Sequence, residues 1–452
     1  MANKLIFFTI CAAICLTTLA YGTVHQSFIA LYYLSAGFVA ILWAIDGFMS
    51  GNFRFNKSLL QIPLILTIFY GLIQIIPFGY LAETNGISGI PNTISQDVFS
   101  TKNAIIQFIA LLIYFSAALA FVDSTRRIKT LVLTITIFGF CFAFFAILQS
   151  VLSPTKIFGI YEPASATPFG SFVNRHNFAA FIEMTIAVPL GLLFVGGIKN
   201  DKRLLYLTAI VLMGVSILLS GSRGGLVSLV STIVFLLIIT TKTKSVGSII
   251  LKSLLAVALV GVIIFGASLI GGESSLTRFA ETAASKDITT NRGHIWSITA
   301  QVIKNRLFFG SGMGAFGVAY TPFDTLNGAE RVEQAHNDYL QVVADAGIIG
   351  LIIGLIFLAL LFKTGLENIK TENLYRKGVA VGALAGCFSI LVHSLFDFVL
   401  HTTAISLLFL FLVALIIVCG KKQTDDIEVS EKKRRKASVT SISEKRKKLE
   451  TA

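Results

Sequence analysis

Apolar runs long enough to cross a bilayer, each closed by a short polar stretch, recur from the N-terminus to about residue 420. A helix needs about 20 such residues to cross the hydrocarbon core. The pattern predicts spans at Leu5–Tyr21, Phe28–Ile45, Leu59–Pro77, Ala104–Val122, Leu131–Val151 and Phe178–Val195. It continues with Leu204–Leu219, Leu226–Thr240, Ile249–Ile270, Ile348–Phe362, Val379–Leu395 and Ala404–Cys419. The expected fold is all-α: a polytopic membrane protein of about 12 transmembrane helices. Lys4 followed by the first apolar run also fits a signal peptide, but the next span follows almost at once, so an uncleaved first span is expected.

One long stretch, Gly271 to Val343, breaks the pattern. It is too polar to span and too poor in basic residues to resemble the other polar loops. Within it, Trp296–Ile303 has apolar residues at helical spacing, which predicts a short helix lying on the membrane. The expected organisation is a transmembrane domain, residues 1–420, containing the outward loop 271–343, followed by a tail, residues 421–452.

Composition agrees with the pattern: 55% of residues are hydrophobic and 13% charged, where a soluble domain carries about a quarter charged. The net charge of +13 would suit a nucleic-acid binder, but its placement follows membrane topology instead. Basic residues such as Arg54, Arg126, Lys202, Lys244 and Lys370 fall in one alternating set of loops. The other short loops carry only Lys102, Lys156, Arg175 and Arg223. Both termini are therefore expected in the cytoplasm and 271–343 on the opposite face. The tail is rich in Lys, Arg, Glu and Ser, which predicts disorder. Lys432–Lys436 suits anionic lipid heads of the inner leaflet. The five cysteines all lie in or beside spans, which implies no disulfide framework. No GxxxxGK[ST] loop is present to drive transport with ATP.

Several polar groups could carry chemistry. Ser220-Gly221-Ser222-Arg223-Gly224-Gly225 is an outward turn in which Ser222 can cap the next helix; with Arg223 and free backbone N–H groups it could hold an anion, or be a plain hairpin with a snorkelling arginine. Arg292 stands at the start of the short loop helix, where an anion is also favoured. His336, followed by Asn337 and Asp338, could take a proton from a sugar hydroxyl, with either neighbour orienting a partner; it could equally be a helix-start histidine satisfied by backbone. Arg175 and His176 open a span and could add to an anion site. Glu183 inside that span suggests a polar cavity or a buried pair. His393, Asp397 and His401, four residues apart, read as a hydrogen-bonded structural knot rather than a metal site. No acidic DxD pair lies in an outward loop to bind a metal–nucleotide-sugar donor.

In order along the chain, five pieces resemble the O-antigen ligase/polymerase superfamily of bacterial envelope proteins. They are Phe169–Ala179 (FGSFVNRHNFA), Ser220–Gly224, Arg292–Trp296, Phe309–Phe316 (FGSGMGAF), and Ala335–Leu340 (AHNDYL) with Gly347 and Gly350 after it. Asp345 stands where family members often have Glu, and Arg175-His176-Asn177 where Arg-Asn-His is more usual. The resemblance implies glycosyl transfer without a metal or other cofactor, on the outer face of the inner membrane. It implies a glycan on undecaprenyl diphosphate as donor and a lipid A-core sugar as acceptor. By the same resemblance Arg223 and Arg292 would hold the diphosphate and His336 would be the general base, with Arg175, His176, Ser222, Asn337 and Asp338 in support. Three alternatives stay open: a polymerase using a second lipid-linked glycan as acceptor, an O-linked oligosaccharyltransferase, and a transporter or flippase whose arginines conduct an anion. The oligosaccharyltransferase is disfavoured because no large outward domain follows the last span.

Overall fold

The computed structural model describes residues 1–82, 88–164, 166–241, 246–270, 276–277, 280–281, 292–325 and 331–420. The expected tail, 421–452, and much of the first part of the outward loop lie outside these residues. The helices are α1 Ala2–Leu19, α2 Gln26–Ser50, α3 Gln61–Gln74, α4 Val98–Phe121, α5 Thr125–Leu152, α6 Arg175–Val195 and α7 Arg203–Leu219. They continue as α8 Arg223–Thr240, α9 Val246–Ile270, α10 Arg292–Asn305, α11 Phe316–Tyr320, α12 Asp338–Asn368, α13 Leu374–His393 and α14 Thr403–Gly420. Among the described residues strand pairing is limited to isolated bridges, such as Phe169 with Phe172. The chain is an all-α, multi-pass membrane protein.

Eleven helices among the described residues are long and apolar enough to cross a membrane. The expected third span is the exception, because α3 ends at Gln74 after 14 residues. At 1.5 Å per residue it covers only about 21 Å, short of a bilayer core. Pro77 disfavours the helical region at Ile76, and Gln74 is held instead by the glycine-rich turn described below.

The innermost packing is between α6 and α13, and small residues allow it. Gly378, Gly382 and Gly386 lie one turn apart on α13. A Cβ at Gly382 would sit 2.5 Å from the Ala187 carbonyl oxygen and 2.7 Å from that of Val188, and one at Gly191 would sit 2.3 Å from the Gly382 Cα. Lipid is as apolar as a leucine side chain, so such close backbone approach, not the hydrophobic effect, drives helices together in a membrane. The seam sets Glu183 of α6 beside His393 of α13, both fully buried. Of the polar cavity or buried pair expected of an intramembrane Glu183, the pair is present.

The approach to α6 is fixed by aromatic packing. Phe169 and Phe178 rings lie 4.7 Å apart, Gln149 donates to the Gly170 carbonyl at 2.7 Å, and Ser171 donates to the Thr18 carbonyl at 2.6 Å. The loop helix α10 does not lie free. Its Ile298 and Val302 form a small core with Phe316, Ala319, Tyr320, Ala335 and Ala344, so α10, α11 and the start of α12 share one core.

The seam is testable by substitution. Gly382→Leu is expected to lose most folded protein, because overpacking of this kind costs about 1–3 kcal/mol or more. Gly37→Leu, where nothing lies within 4 Å of an added Cβ, is expected to behave as wild type. Detergent-phase size exclusion and thermal midpoints measure both; a wild-type midpoint for G382L would refute the assignment.

A candidate polar site at one end of the bundle

Three helix starts and one turn meet at the same end of the bundle. Asn174 caps α6, its side chain accepting from the His176 N–H at 2.9 Å. Ser222 caps α8, accepting from the Gly225 N–H at 3.2 Å. Asn337 caps α12, accepting from the N–H groups of Tyr339 and Leu340 at 3.0 Å each. These caps are the short polar residues that helix starts select. The turn between α13 and α14 closes the group and carries Asp397. Each helix start points a partial positive charge into this region.

Asp397 is the hub. Its side chain is 3% exposed, so its charge must be matched from within. Arg292, the first residue of α10, places Nη2 3.1 Å from Oδ2 and donates from Nη1 to the Phe396 carbonyl. His336 places Nδ1 3.2 Å from Oδ1. His176 places Nδ1 3.6 Å from Oδ2 and 2.9 Å from the Ser222 hydroxyl. The Phe398 N–H donates to Oδ1 at 3.0 Å. Burial works against the charged form, but His176, the hydrogen bond with His336 and Arg292 outweigh it and hold the carboxyl well below the usual carboxylate range.

His336 is positioned from all sides. Its backbone is left-handed, with φ of 49°, a conformation that costs about 1 kcal/mol or more for a non-glycine residue and gathers at functional sites. Its ring packs edge-on against Phe398 at 4.8 Å. Trp296 of α10 donates to the neighbouring Ala335 carbonyl at 3.0 Å, so Arg292 and His336 are held in register. Nδ1 is committed to Asp397, which leaves Nε2 as the nitrogen able to face a substrate. The side chain is 32% exposed against 3% for Asp397, so His336 is the member of the pair that an incoming molecule can touch.

The candidates divide between the cluster and the frame. Arg292, His336, His176 and Ser222 join around Asp397, and Arg175 and Arg223 open α6 and α8 beside it. Asn337 is a cap, and its Nδ2 donates to the Leu395 carbonyl at 2.9 Å. Asp338 does not orient His336. It accepts from Ser394 at 2.8 Å and the Leu400 N–H at 3.2 Å, and pairs with His401 at 3.0 Å. The glycine-rich turn also belongs to the frame. Gly310 (φ 70°) and Gly347 (φ 62°) meet back to back, where a Cβ on either would lie 2.4 Å from backbone of the other's segment. Gln74 of α3 donates to the Phe309 carbonyl at 3.1 Å and accepts from the Met313 N–H at 3.0 Å. The Gly314 N–H donates to Asp345 at 3.1 Å. This buckle lies at the break in α12, where Gly347 leaves the helical conformation.

The structural knot expected of His393, Asp397 and His401 separates into three. His401 serves Asp338, His393 serves Glu183 at 3.0 Å, and Asp397 serves the site. Its partners Arg292 and His336 are 105 and 61 residues away in sequence, so spacing could not have shown it; the turn of two histidines and an aspartate was the available signal. His176, His393 and Asp397 also bring ligand-type atoms within 4.8 Å of one another. Each is already engaged by Ser222, Glu183 or Arg292, and the arginine brings positive charge to the carboxylate that a cation would need. The group therefore fits a hydrogen-bonded network better than a cation site.

The depressed carboxyl gives a pH prediction. Asp397 contributes stability above its unfolded value of 3.8, lost as pH falls through the lower folded value. The stabilisation of wild type over Asp397→Asn that this carboxylate carries, read as a difference in thermal midpoint, is therefore expected to persist from about pH 8 down to about pH 5 and to close only below about pH 4. A difference that closes near neutrality would contradict this.

No curated protein matches the chain. Residues 208–355 match the family model described as O-Antigen ligase. The matched segment contains Arg223, Arg292, His336, the glycine buckle and the break at Gly347; His176, Glu183 and Asp397 lie outside it. With Arg292 and His336 of this segment joined at Asp397, the chain resembles the O-antigen ligase superfamily, whose members are glycosyltransferase-like enzymes.

Proposed function

We propose that the protein is a glycosyltransferase that moves a glycan from undecaprenyl diphosphate to a sugar of the lipid A core. The reaction runs at the outer face of the bacterial inner membrane, with both termini in the cytoplasm. Residues 1–420 form the membrane domain and residues 421–452 a cytoplasmic tail. The observation that carries this is the pairing of His336, left-handed and exposed on one edge, with the buried Asp397 that Arg292 also holds.

The acceptor hydroxyl approaches Nε2 of His336, which takes its proton as the oxygen attacks the anomeric carbon. The new bond from the acceptor oxygen to that carbon forms as the bond to the diphosphate oxygen breaks. The lipid diphosphate leaves with the electron pair, and a single displacement inverts the carbon. Asp397 keeps Nδ1 protonated, so that Nε2 is the basic nitrogen, and stabilises the imidazolium once it forms. Arg292 and Arg223 hold the diphosphate, and the starts of α6, α8 and α12 add their dipoles. Charge that builds on the leaving group is met by groups already in place, which lowers the barrier without reorganisation. In this mechanism the arginines supply the positive charge that a metal supplies to nucleotide-sugar enzymes. Arg175, His176 and Ser222 steady the anion site from α6 and α8, and Asn337 and Asp338 hold the start of α12.

In-vitro transfer tests the proposal, with purified protein, an undecaprenyl-diphosphate glycan, and lipid A core or a second lipid-linked glycan offered separately. Product on lipid A core is expected, falling about a hundredfold or more in His336→Ala, the range for loss of a general base. Arg292→Ala is expected to weaken donor use as well as rate. Longer lipid-linked chains instead would move the assignment to a polymerase. Transfer unaffected by H336A in folded protein would remove the role given to His336.

A further inference from the structure

Glu183 and His393 lie outside the groups that meet substrate, yet both are fully buried inside the helix bundle. Such a pair is expensive. Its burial removes two ionisable groups from water, and replacing pairs of this kind by apolar residues is often neutral or stabilising. It is not needed to join α6 and α13, because the glycine seam already brings their backbones together. An ionisable pair retained at this depth therefore asks for a role other than adhesion.

Its surroundings indicate which. The carbonyl of His393 accepts from the N–H groups of Phe396 and Asp397 at 2.8 and 3.1 Å. The residue thus anchors the turn that carries the hub carboxylate and the carbonyl on which Arg292 donates. Glu183 Oε2 holds Nδ1 at 3.0 Å. The opposite nitrogen, Nε2, is buried and has no hydrogen-bond partner among the described residues. The same edge of the ring faces Gly224, where a Cβ would sit 2.9 Å from both Nε2 and Cδ2. Gly224 is the second residue of α8, immediately after Arg223. One ring nitrogen of His393 also lies within 4.8 Å of ligand atoms of His176 and Asp397. The imidazole is therefore wedged between α6, the start of α8 and the turn, with its orientation set by one carboxylate. Of the charged and titratable groups on the elements packed against it, Glu183 of α6, Asp397 of the turn and Arg292 of α10 act on it directly and His176 of α6 lies within reach, while Arg175 and Arg223 are the first residues of α6 and α8.

Resting on the role of His336 proposed above, we infer that Glu183 and His393 are positioning residues: Glu183 orients the His393 ring, and the ring places Asp397 and, through it, His336. Neither touches substrate. The coupling runs Glu183 Oε2 to His393, through the turn to Asp397, and from Asp397 Oδ1 to His336 Nδ1, each link a contact of 3.2 Å or less.

Glu183→Gln keeps the size and an acceptor oxygen but removes the charge. In the full-length protein it is expected to remain folded and to keep the KM for the lipid-diphosphate glycan within about twofold while kcat falls about tenfold, the signature of a lost transition-state interaction. Activity alone would tie this test to the transfer reaction, so a second readout stands apart from it. Diethyl pyrocarbonate modifies neutral imidazole, and mass spectrometry of the His336 peptide against pH gives the protonation midpoint of that residue. In Glu183→Gln this midpoint is expected to move by about half a unit or more, since each unit corresponds to about 1.4 kcal/mol of changed interaction. An upward move means that the pair held an imidazolium near Asp397, and a downward move that it held a carboxylate beside a neutral ring; either supports the coupling. Gly224→Ala, which presses on the His393 ring without removing either residue, is expected to shift the midpoint as well. An unchanged midpoint in folded Glu183→Gln and Gly224→Ala overturns the inference. So does loss of folded protein in Glu183→Gln and His393→Gln alike, which would make the pair purely structural. A shifted midpoint with no transfer by wild type would leave the coupling standing and remove the proposed reaction.

Discussion

A carboxylate at 3% exposure cannot be left to solvent, and the site is arranged around that constraint. Asp397 must be matched by groups that reach it from other parts of the chain. Arg292 reaches it from the loop helix, His336 from the start of α12 and His176 from the start of α6. Removing one partner would strand the others, which is why a buried ionic network resists partial change more than its net energy suggests. Specific placement is what such a network offers, and here each member is held a second time. Arg292 is fixed by the Phe396 carbonyl, His176 by Ser222, and His336 by its own backbone and by Phe398.

That arrangement depends on packing deeper in the membrane. The turn holding Asp397 is the continuation of α13, and α13 is placed by glycines against α6. The same two helices carry His393 and Glu183, so the seam that sets the helices also sets the pair beneath the turn. On the other side, the buckle between Gly310 and Gly347 lies at the break in α12. Gln74, at the end of a helix too short to span, holds that buckle with both ends of its amide. Short α3 is thus part of the frame: a longer helix would carry Gln74 away from the backbone it serves.

Much of the fold was legible because hydropathy is a sum over many residues. Eleven of the expected spans correspond to long apolar helices, and the exception failed where Pro77 and one glutamine outweighed composition. The residue types of the site were legible too, since arginine and histidine at helix starts are conspicuous in so apolar a chain. Partnership was not. Asp338 stands two residues from His336 and was a candidate to orient a partner, yet it faces Ser394 and His401. Asp397 stands far off and does pair with it. The reason is geometric: both residues face the turn after α13 but meet different parts of it. Asp338, the first residue of α12, meets Ser394, Leu400 and His401, while His336, left-handed before the cap, meets Asp397 and Phe398. Sequence proximity cannot see such a division.

The segment that matches the O-antigen ligase model ends at residue 355, and this boundary divides the site in a physically sensible way. Arg223, Arg292 and His336, the groups proposed to meet the diphosphate and the acceptor, are inside it. Asp397, which pairs with Arg292 and His336, and Glu183 and His393, inferred to position it, come from a turn and helices on either side of the segment. Groups that touch a reacting centre are limited to few residue types, because each must match a charge or move a proton. Groups that position them need only supply a correctly placed acceptor, and a carboxylate can reach the same imidazole from more than one turn. Under the proposed function, the matched segment therefore holds the groups that meet substrate, while the carboxylates that pair with them are found by following hydrogen bonds outward from the histidine. In this protein that path leads from His336 to Asp397, and from the turn of Asp397 to His393 and Glu183 inside the membrane.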